Sequence, residues 1–490
     1  MSGDPAPDLA ADSSVRPAPA GDRPEVQADV RVGPGDRPAA DRRSDGPADA
    51  RVGPGDRTGL NTRTRPQARL GPDDRELLLD LLRLPTAGPL ETGPGAPLPL
   101  LPEALTVYAR AAADIGLSEV LRGAPTPEEL DRPGTPLTVR RRLGDRDFLA
   151  SQPSLVLRLG PPLPRCATVM FNVHLDTVAG LEPVGFDGRR FTGRGAIDAK
   201  GPAVALLAGI RAAVAAEPRL GESVGVLVQA VSGEEGGAMG VFGTRPLVEA
   251  GYAGALNVFC EPTGLRFLPR STAAATARLR VRGEDAIDDC PGEGHNATVL
   301  LGFLAQYLAR ELGGTAAPRD PVCVAGLSTG PLHNRVYGTG DLLLNLPYRD
   351  AGSGRRAEAA VAAAVDAGLT AFRREFGGLP EFARTAADCA LITRLDWLKR
   401  GLPVLDNRHP EFEELLSRDA GIPQVPDDEP AFTCDAIWAA GLSDAFTVVL
   451  GPGDLGANRA HAEGEFADLA QLDGFASAVA RLLVAFARRR

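Results

Sequence analysis

Residues 167–180 read ATVMFNVHLDTVAG. The apolar run at 167–173 predicts a buried β-strand, which ends at His174 and is followed two positions later by Asp176. Residues two apart in a strand face the same side, so both side chains are expected together at one edge of a sheet. α/β proteins place their functional sites at the carboxyl ends of such strands. On this pair alone, a solvent-exposed strand end is the simpler interpretation.

The neighbouring sequence predicts an α/β fold with a central sheet covered by helices on both faces. Apolar runs that predict strands alternate with helical segments, namely SLVLRL, VGVLVQAV, ALNVFCE and a helix beginning near Lys200. After about residue 269 two strand-helix-strand units follow, with helices at 297–312 and about 355–375. They predict a small inserted α+β domain. FTVVLGPG and the closing apolar helix then return to the first sheet.

This pattern divides the chain into three parts. Residues 1–72 are rich in Pro, Gly, Ala, Asp and Arg and carry few large apolar side chains, so a disordered tail is expected. We expect one domain built from residues 73–268 and 401–490, and a separate inserted domain at 269–400.

Composition narrows the class of partner. The formal net charge is −11 and the pI is about 5.2, which argues against binding to nucleic acid or to an anionic membrane. A small molecule or a basic partner is expected instead. The six cysteines show no CxxC spacing, and neither a signal peptide nor an apolar run of membrane-spanning length is recognised. A cytoplasmic protein with reduced thiols is therefore expected.

Further acidic residues and a second histidine follow the pattern set by His174. Asp198 lies in a glycine-bracketed loop before a helix, Glu234 and Glu235 follow one predicted strand, Glu261 follows another, and His461 lies near the C-terminus. Adjacent carboxylates repel unless a cation or a shared proton relieves them. A mixed nitrogen and oxygen ligand set predicts zinc or a similar divalent ion, with a carboxylate able to bridge two metals.

One stretch suggests a different cofactor. Residues 451–456, GPGDLG, match the GxGxxG pattern of dinucleotide-binding loops. No amphipathic helix opens after them and too little chain remains for a βαβ unit, so a tight loop presenting His461 is the favoured interpretation.

Five motifs in order, HLDTV, GRGAIDAKG, SGEEGG, EPT and AHAEGE, resemble the co-catalytic di-zinc aminoacylase and exopeptidase family. That family includes acetylornithine deacetylase, succinyl-diaminopimelate desuccinylase and carboxypeptidase G, and the resemblance covers about residues 73–490. The stretches DTVAG and GRGAIDAKGP are most similar to those of the branch that hydrolyses lysine or ornithine from an amino-group carrier protein. The resemblance implies a zinc-exopeptidase-like catalytic domain and a ferredoxin-like lid and dimerisation domain at 269–400.

The resemblance also implies roles for individual residues. His174, Glu235 and Asp198 would bind one metal, and Glu261, His461 and Asp198 the other. Asp176 would orient His174, and Glu234 would be the general base. Two divalent ions are implied, zinc above cobalt or manganese. Asn334 and Arg349 match positions that the family uses near substrate, although solvent-exposed strand ends explain them equally well.

One position departs from the family pattern. In GEDAIDDCPGEGHNA, residues 283–297, Ile287 occupies the place of a lid histidine that helps to hold the oxyanion. His295 is expected on the surface rather than as a replacement. Hydrolysis of an N-acyl amino acid, a dipeptide or a carrier-linked amino acid is the favoured function, and a homodimer is implied. Amide formation or acyl transfer, and ligand binding without turnover, remain alternatives.

Overall fold

The computed structural model describes residues 66–93, 95–313 and 322–490. Most of the predicted disordered tail, residues 1–65, lies outside the described residues. The disorder assigned to that part of the chain therefore stays a prediction.

The last part of the predicted tail, residues 66–72, packs on the folded body. Ala68 and Leu70 are buried. The backbone N–H of Ala68 donates to Ser477 Oγ at 3.0 Å, and that of Leu70 donates to Asp473 Oδ1 at 2.8 Å. The ordered body thus begins before residue 73, because two short apolar side chains in this segment cover part of the C-terminal helix.

The strands of the described residues are β1 Leu117–Gly123, β2 Ser154–Leu159, β3 Thr168–His174, β4 Gly185–Phe186, β5 Arg190–Thr192, β6 Gly225–Val231, β7 Leu256–Phe259, β8 Arg270–Ser271, β9 Ala273–Arg282, β10 Ala286–Ile287, β11 Cys323–Ser328, β12 Arg335–Val336, β13 Thr339–Tyr348, β14 Thr393–Lys399, β15 Leu405–Asp406, β16 Phe446–Val449 and β17 Phe466–Asp468. The helices are α1 Pro72–Arg83, α2 Pro89–Thr92, α3 Leu101–Ala113, α4 Pro127–Leu130, α5 Leu137–Arg140, α6 Arg146–Ala150, α7 Lys200–Ala216, α8 Thr244–Glu249, α9 Ala297–Gly313, α10 Ala351–Phe376, α11 Ala383–Ile392, α12 Pro410–Glu414 and α13 Leu469–Arg489.

Six of the described strands form a mixed central sheet in the order β1, β2, β6, β3, β7, β16. The four strands β6, β3, β7 and β16 run parallel to one another, whereas β2 is antiparallel to β6. Every residue of β3, β6, β7 and β16 is buried, as is typical of parallel strands covered on both faces. The predicted α/β class with a central sheet is confirmed.

Helices fix the position of this sheet. α1, α3, α7 and α13 share one apolar core with the strands, and a second apolar cluster covers the opposite face with residues such as Met170, Phe259 and Ala436. Gly209 of α7 lets α13 approach closely, since a Cβ there would lie 2.6 Å from the carbonyl oxygen of Ala476. The carboxyl ends of the parallel strands are therefore held rigidly at one edge.

The C-terminal helix α13 is long and apolar enough to cross a membrane by length and composition, with a mean hydropathy of 1.4 over its most apolar window. The sequence analysis had recognised no such run. In the folded chain 61% of that window is buried, and the helix packs against α7 within the main core. Its apolar composition is accounted for by this packing.

Four described strands form a second, antiparallel sheet in the order β11, β13, β9, β14. Helices α9, α10 and α11 cover one face of it, and together these elements are called the four-stranded layer. Its strand order and its βαββαβ sequence along the chain are those of the predicted ferredoxin-like unit. Met239 and Ile437, from loops of the central-sheet part, are buried in the same apolar cluster, so the layer packs directly against those loops.

Candidate metal centre and active site

The predicted site residues converge at the carboxyl edge of the parallel strands. His174 ends β3, Glu234 and Glu235 follow β6, Glu261 follows β7, and Asp198 and His461 lie in the loops before α7 and after β16. Parallel neighbours end at the same edge of a sheet, so residues far apart in sequence meet there. This convergence explains why the acidic residues recur at strand ends in the sequence.

One group of donor atoms is formed by His174, Asp198 and Glu261, all of them buried. His174 Nε2 lies 3.0 Å from Asp198 Oδ1 and 3.5 Å from Glu261 Oε1. The three donor atoms lie within 4.8 Å of one another. One cation placed among them would contact all three side chains.

A second group is formed by Asp198, Glu235 and His461. His461 Nε2 lies 3.0 Å from Asp198 Oδ2 and 3.0 Å from Glu235 Oε1. Asp198 therefore belongs to both groups and offers one carboxylate oxygen to each. The His461 side chain is 52% exposed, so the second group opens to solvent more than the first.

The structure reverses the predicted assignment of the two glutamates. The sequence analysis placed Glu235 with His174 and Glu261 with His461, whereas Glu261 lies beside His174 and Glu235 beside His461. Glu261 follows β7 at once, and β7 is the direct neighbour of the strand that carries His174. Glu235 lies further along a turn that crosses the site toward the His461 loop. Spacing along the chain carries no information about this choice.

Asp176 contacts His174 in a different way from the one predicted. His174 Nδ1 donates to the backbone carbonyl of Asp176 at 2.9 Å, whereas the nearer carboxylate oxygen is 3.8 Å away. The carboxylate of Asp176 instead accepts the backbone N–H of Glu235 at 3.1 Å through Oδ2. Its other oxygen is buried without a hydrogen bond among the described residues. Asp176 thus links the His174 strand end to the turn that carries Glu234 and Glu235.

The turn of residues 233–240 presents Glu234. Gly233 has a φ of +72°, and a Cβ there would lie 2.0 Å from the Phe242 ring. The N–H of Gly240 donates to the Gly233 carbonyl at 2.7 Å and closes the turn. Burial raises the pKa of the Glu234 carboxyl well above its usual range, and the charges of Glu235 and Asp435 add to the effect. Glu234 belongs to neither donor group.

The three carboxylates of the donor groups lie close together, so a nearby positive charge stabilises them. Burial raises the pKa of Glu235 to about 7 and also raises that of Glu261. Hydrogen bonds with Asp198 and Glu235 raise the pKa of His461 to about 10. Burial alone would lower the pKa of His174, but the charge of Glu261 and the bond with Asp198 raise it well above its usual range. In the metal-free protein, the two protonated imidazoles therefore supply the positive charge among these carboxylates.

A divalent cation fits the same donor sets. Two histidines and three carboxylates, one of them shared, match the nitrogen and oxygen ligands that zinc and its neighbours accept. Metal binding would displace the histidine protons, because only neutral imidazole can act as a ligand.

A buried residue that the sequence analysis did not single out holds the Asp198 loop. The Glu465 carboxylate accepts the backbone N–H groups of Gly195, Ile197 and Asp198 at 3.0, 3.0 and 3.2 Å. It also accepts a bond from Arg194 Nη1 at 2.8 Å. Glu465 is only 1% exposed. The only sequence signal for Glu465 is that it ends the motif AHAEGE. An acidic residue in such a loop would ordinarily be exposed to solvent, so its burial was not predicted.

Asp435 is a second buried acid beside the site that the sequence analysis missed. Thr244 Oγ1 donates to its Oδ2 at 2.6 Å, and its Oδ1 has no hydrogen bond among the described residues. Burial raises the pKa of Asp435 to about 8, and the charge of Asp176 contributes. Asp435 begins a short 3-10 helix, and the pattern of apolar and polar residues around it does not predict that its side chain is buried.

Other predicted residues lie outside the donor groups. Asn334 and Arg349 are exposed, and Ile287 is 60% exposed on β10. His295 is buried, whereas a surface position was expected. Its Nδ1 accepts the backbone N–H of Glu284 at 2.9 Å, and its Nε2 lies 3.2 Å from Asp388 Oδ2. Its two ring nitrogens are both engaged within the four-stranded layer.

The glycine-rich stretch 451–456 forms a loop, as expected. Gly453 has a φ of +63°. Turns continue from there to His461. The favoured interpretation, a loop that presents this histidine, agrees with the observed backbone.

Residues 170–485, more than half of the chain, match the sequence profile of peptidase family M20/M25/M40. This chain belongs to peptidase family M20/M25/M40. The matched region spans the site from His174 to His461, and the resemblance inferred from five short motifs is confirmed. Membership in the M20 family implies use of a divalent metal.

Individual relatives agree with the M20 assignment. A LysW-lysine/LysW-ornithine hydrolase from Aeropyrum pernix is 30% identical over 181 residues, which are 36% of this chain and 47% of that protein. The match spans about half the length of this curated relative. A metallo-carboxypeptidase of family M20 from Sulfolobus solfataricus is similar with a TM-score of 0.58 and 13% identity, covering 85% of this chain and 100% of that one. A dipeptidase from Saccharomyces cerevisiae gives a TM-score of 0.58 and 13% identity, over 85% and 96%. At such identities the two structures establish the fold.

Proposed function

We propose that this protein is a metal-dependent amidohydrolase that cleaves the amide bond of an N-acyl amino acid, a dipeptide or a carrier-linked amino acid. The observation that carries the proposal is the position of Glu234. It is adjacent in sequence to a residue of one donor group but belongs to neither. A half-buried residue whose carboxyl has a raised pKa, next to the candidate metal ligands, is suited to proton transfer rather than to ligation.

The donor groups would hold two divalent ions, one among His174, Asp198 and Glu261 and the other among Asp198, Glu235 and His461. Bound there, the ions would polarise the scissile carbonyl and make a water molecule more acidic. We propose zinc as the native metal, because the ligands are two imidazoles and three carboxylates.

Residues of the chain then carry the proton. Glu234 accepts it from the attacking water and returns it to the nitrogen of the leaving amine, so that the carboxylate is regenerated after each turnover. Asp176 holds the Glu235 backbone beside the His174 strand end, because it makes one hydrogen bond with each of them. Glu465 fixes the loop that carries Asp198.

The A. pernix relative supports a carrier-linked lysine or ornithine as one candidate substrate. We also propose a homodimer through the four-stranded layer. Its edge strand β11 has mostly exposed residues, and Leu327 and Leu332 near it are 50% and 53% exposed. An exposed strand edge with apolar side chains is a surface that a second copy can cover.

The test is a mass-spectrometric screen of the zinc-loaded protein against pooled N-acyl amino acids and dipeptides, run beside Glu234→Gln. We expect cleavage in the wild type and a loss of about a hundred- to ten-thousand-fold in the variant, with zinc content unchanged. Glu463→Gln, an exposed acid near the site, is the matched control and should retain activity. If Glu234→Gln cleaves as fast as the wild type, Glu234 is not the base and the proposed mechanism is wrong.

A further inference from the structure

The turn that presents Glu234 packs against a segment distant in sequence. A short 3-10 helix begins at Asp435, and the carboxyl group of this residue lies against Gly240, the last residue of the turn. A Cβ on Gly240, whose φ is +65°, would overlap both carboxyl oxygens of Asp435. The indole N–H of Trp438, in the same helix, donates to the Met239 carbonyl at 2.6 Å. The 3-10 helix therefore supports the turn at two successive residues.

The turn has little rigidity of its own, because four of its eight residues are glycines with φ between +65° and +72°. Glu234 lies between two fixed points of the backbone. On one side, the N–H of Glu235 donates to Asp176 Oδ2 at 3.1 Å. On the other side, the N–H of Gly240 donates to the Gly233 carbonyl at 2.7 Å. The second fixed point therefore depends on what holds Gly240 in place.

Asp435 is a costly residue for a packing contact of this kind. It is 1% exposed. Thr244 Oγ1 donates to its Oδ2 at 2.6 Å, and its Oδ1 has no hydrogen bond among the described residues. A buried carboxyl with one hydrogen bond lowers stability relative to an apolar side chain of the same shape. The presence of an acid at this position therefore points to a role other than stability.

A chain of buried polar side chains holds Asp435 where it is. The hydroxyl of Thr244 accepts a hydrogen bond from Asn172 Nδ2 at 2.9 Å, and Asn172 also donates to Gln229 Oε1 at 2.8 Å. Asn172 and Gln229 are paired on β3 and β6, the strand that ends at His174 and the strand that precedes the turn. Asp435 is thus fixed relative to two strands of the central sheet, and its contact with the turn passes that position on.

We propose that Asp435 is a positioning residue for Glu234. Its carboxyl, held by Thr244, supports Gly240 and thereby fixes the Gly233 end of the turn. This inference rests on the proposed amidohydrolase function and adds to it a residue that acts on the base through the turn.

Loss of this support should affect the reaction rate more than the binding of substrate or metal. A displacement of Glu234 by about 1 Å can cost about a hundredfold in rate. Glu235 keeps its own bond to Asp176, so the second donor group should still bind zinc. A side chain that only stabilised the fold would instead change the free energy of unfolding and leave kcat unchanged.

The experiment measures kcat, KM and zinc content of Asp435→Ala and Asp435→Asn on one cleaved substrate from the screen. Alanine removes the support, and we expect kcat to fall by about 10- to 100-fold with KM and zinc content nearly unchanged. Asparagine has nearly the same shape and can accept the bond from Thr244, so it should restore most of kcat. Unchanged kcat in Asp435→Ala, a loss confined to KM, or an equal loss in both variants would overturn the proposal.

Asp74→Asn is the matched control, because Asp74 is also a buried acid, which pairs with Arg211 on the far side of the main core from the turn's 3-10 helix support. It should lower stability in urea unfolding but leave kcat unchanged, and an equal loss of kcat there would attribute the effect to stability and overturn the proposal. If Asp435→Ala does not fold, Thr244→Val takes its place, since it removes the hydroxyl that holds the Asp435 carboxyl. Its kcat should fall by about tenfold, and a wild-type kcat would overturn the proposal.

Failure of the proposed function is distinguished by amide hydrogen exchange. If the zinc-loaded wild type cleaves nothing, the exchange rate of the Gly240 amide still tests the support, because this N–H closes the turn. We expect exchange at Gly240 to be about tenfold faster or more in Asp435→Ala and to match the wild type in Asp435→Asn. Equal exchange in Asp435→Ala and the wild type, or a wild-type amide that is not protected, would overturn the proposal.

Discussion

The backbone N–H of Asp198 donates to the Glu465 carboxylate at 3.2 Å, which ties the residue shared by both donor groups to the loop that carries His461. Two segments separated by 267 positions in sequence are thereby held in one arrangement. Arg194 pairs with the same buried carboxylate at 2.8 Å, which places an opposite charge beside Glu465. A metal centre assembled from several loops needs such links, because its ligands do not share a rigid element.

We predict that Glu465→Gln weakens zinc binding by about 10- to 100-fold, the usual effect of losing a group that orients ligands. The amide cannot balance the Arg194 charge or accept all three backbone N–H groups. A competition titration with a chromophoric chelator measures the affinity. Glu463→Gln, exposed in the same loop, should bind zinc as the wild type does, and unchanged affinity in Glu465→Gln would contradict the positioning role.

Metal stoichiometry should follow the sharing of Asp198. We expect two zinc ions per chain in the wild type, one in His461→Ala, and none retained in Asp198→Ala, because only Asp198 belongs to both groups. Native mass spectrometry counts the bound ions. His333→Ala removes an exposed histidine and should still bind two; an Asp198→Ala protein that also binds two would refute the shared ligand.

Gly233→Ala should lower kcat and stability together. The new methyl group would collide with Phe242 at a φ of +72°, and the turn that presents Glu234 must shift. Gly237→Ala is the matched control, since its φ is +71° but no atom lies within 4 Å of the added Cβ. Its backbone penalty alone is about 1–2 kcal/mol. Urea unfolding and steady-state kinetics on both variants separate strain from collision, and equal effects would show that Phe242 tolerates the methyl group.

Lys399→Met should stabilise the metal-free protein at pH 7. Burial lowers the pKa of Lys399 from 10.5 to about 8, although the charge of Glu234 opposes the shift. Below pH 8 the folded state holds a charge that it disfavours, a penalty of about 3 kcal/mol at about 1.4 kcal/mol per pH unit. Between pH 8 and 10.5 the unfolded chain binds the extra proton, so wild-type stability rises with pH.

The measurement is urea unfolding of wild type and variant at pH 7 and near pH 10.5, and the difference should shrink at the higher pH. Arg280→Met, which breaks an ion pair, should show no such gain. If Lys399→Met is less stable than the wild type at pH 7, the buried ammonium does not carry the penalty expected from its lowered pKa.

The sequence predicted much of the architecture because hydrophobic periodicity is a local signal. β3 and β6 end where the apolar runs end, and α9 was predicted at 297–312 and is observed at Ala297–Gly313. The identity of the five donor residues was also local, since each stands at a strand end or in a glycine-rich loop. These features depend on nearest neighbours along the chain.

By itself, the sequence determined the fold class and the five side chains of the two donor groups. Tertiary structure alone decided which glutamate lies beside which histidine, because that depends on which strands are neighbours and how far a turn crosses the site. It also decided the burial of Glu465. It placed Lys399 opposite Thr276 through a shift of register within β14, between Trp397 and Lys399. Both follow from packing between segments distant in sequence, and a pattern read along one chain cannot contain them.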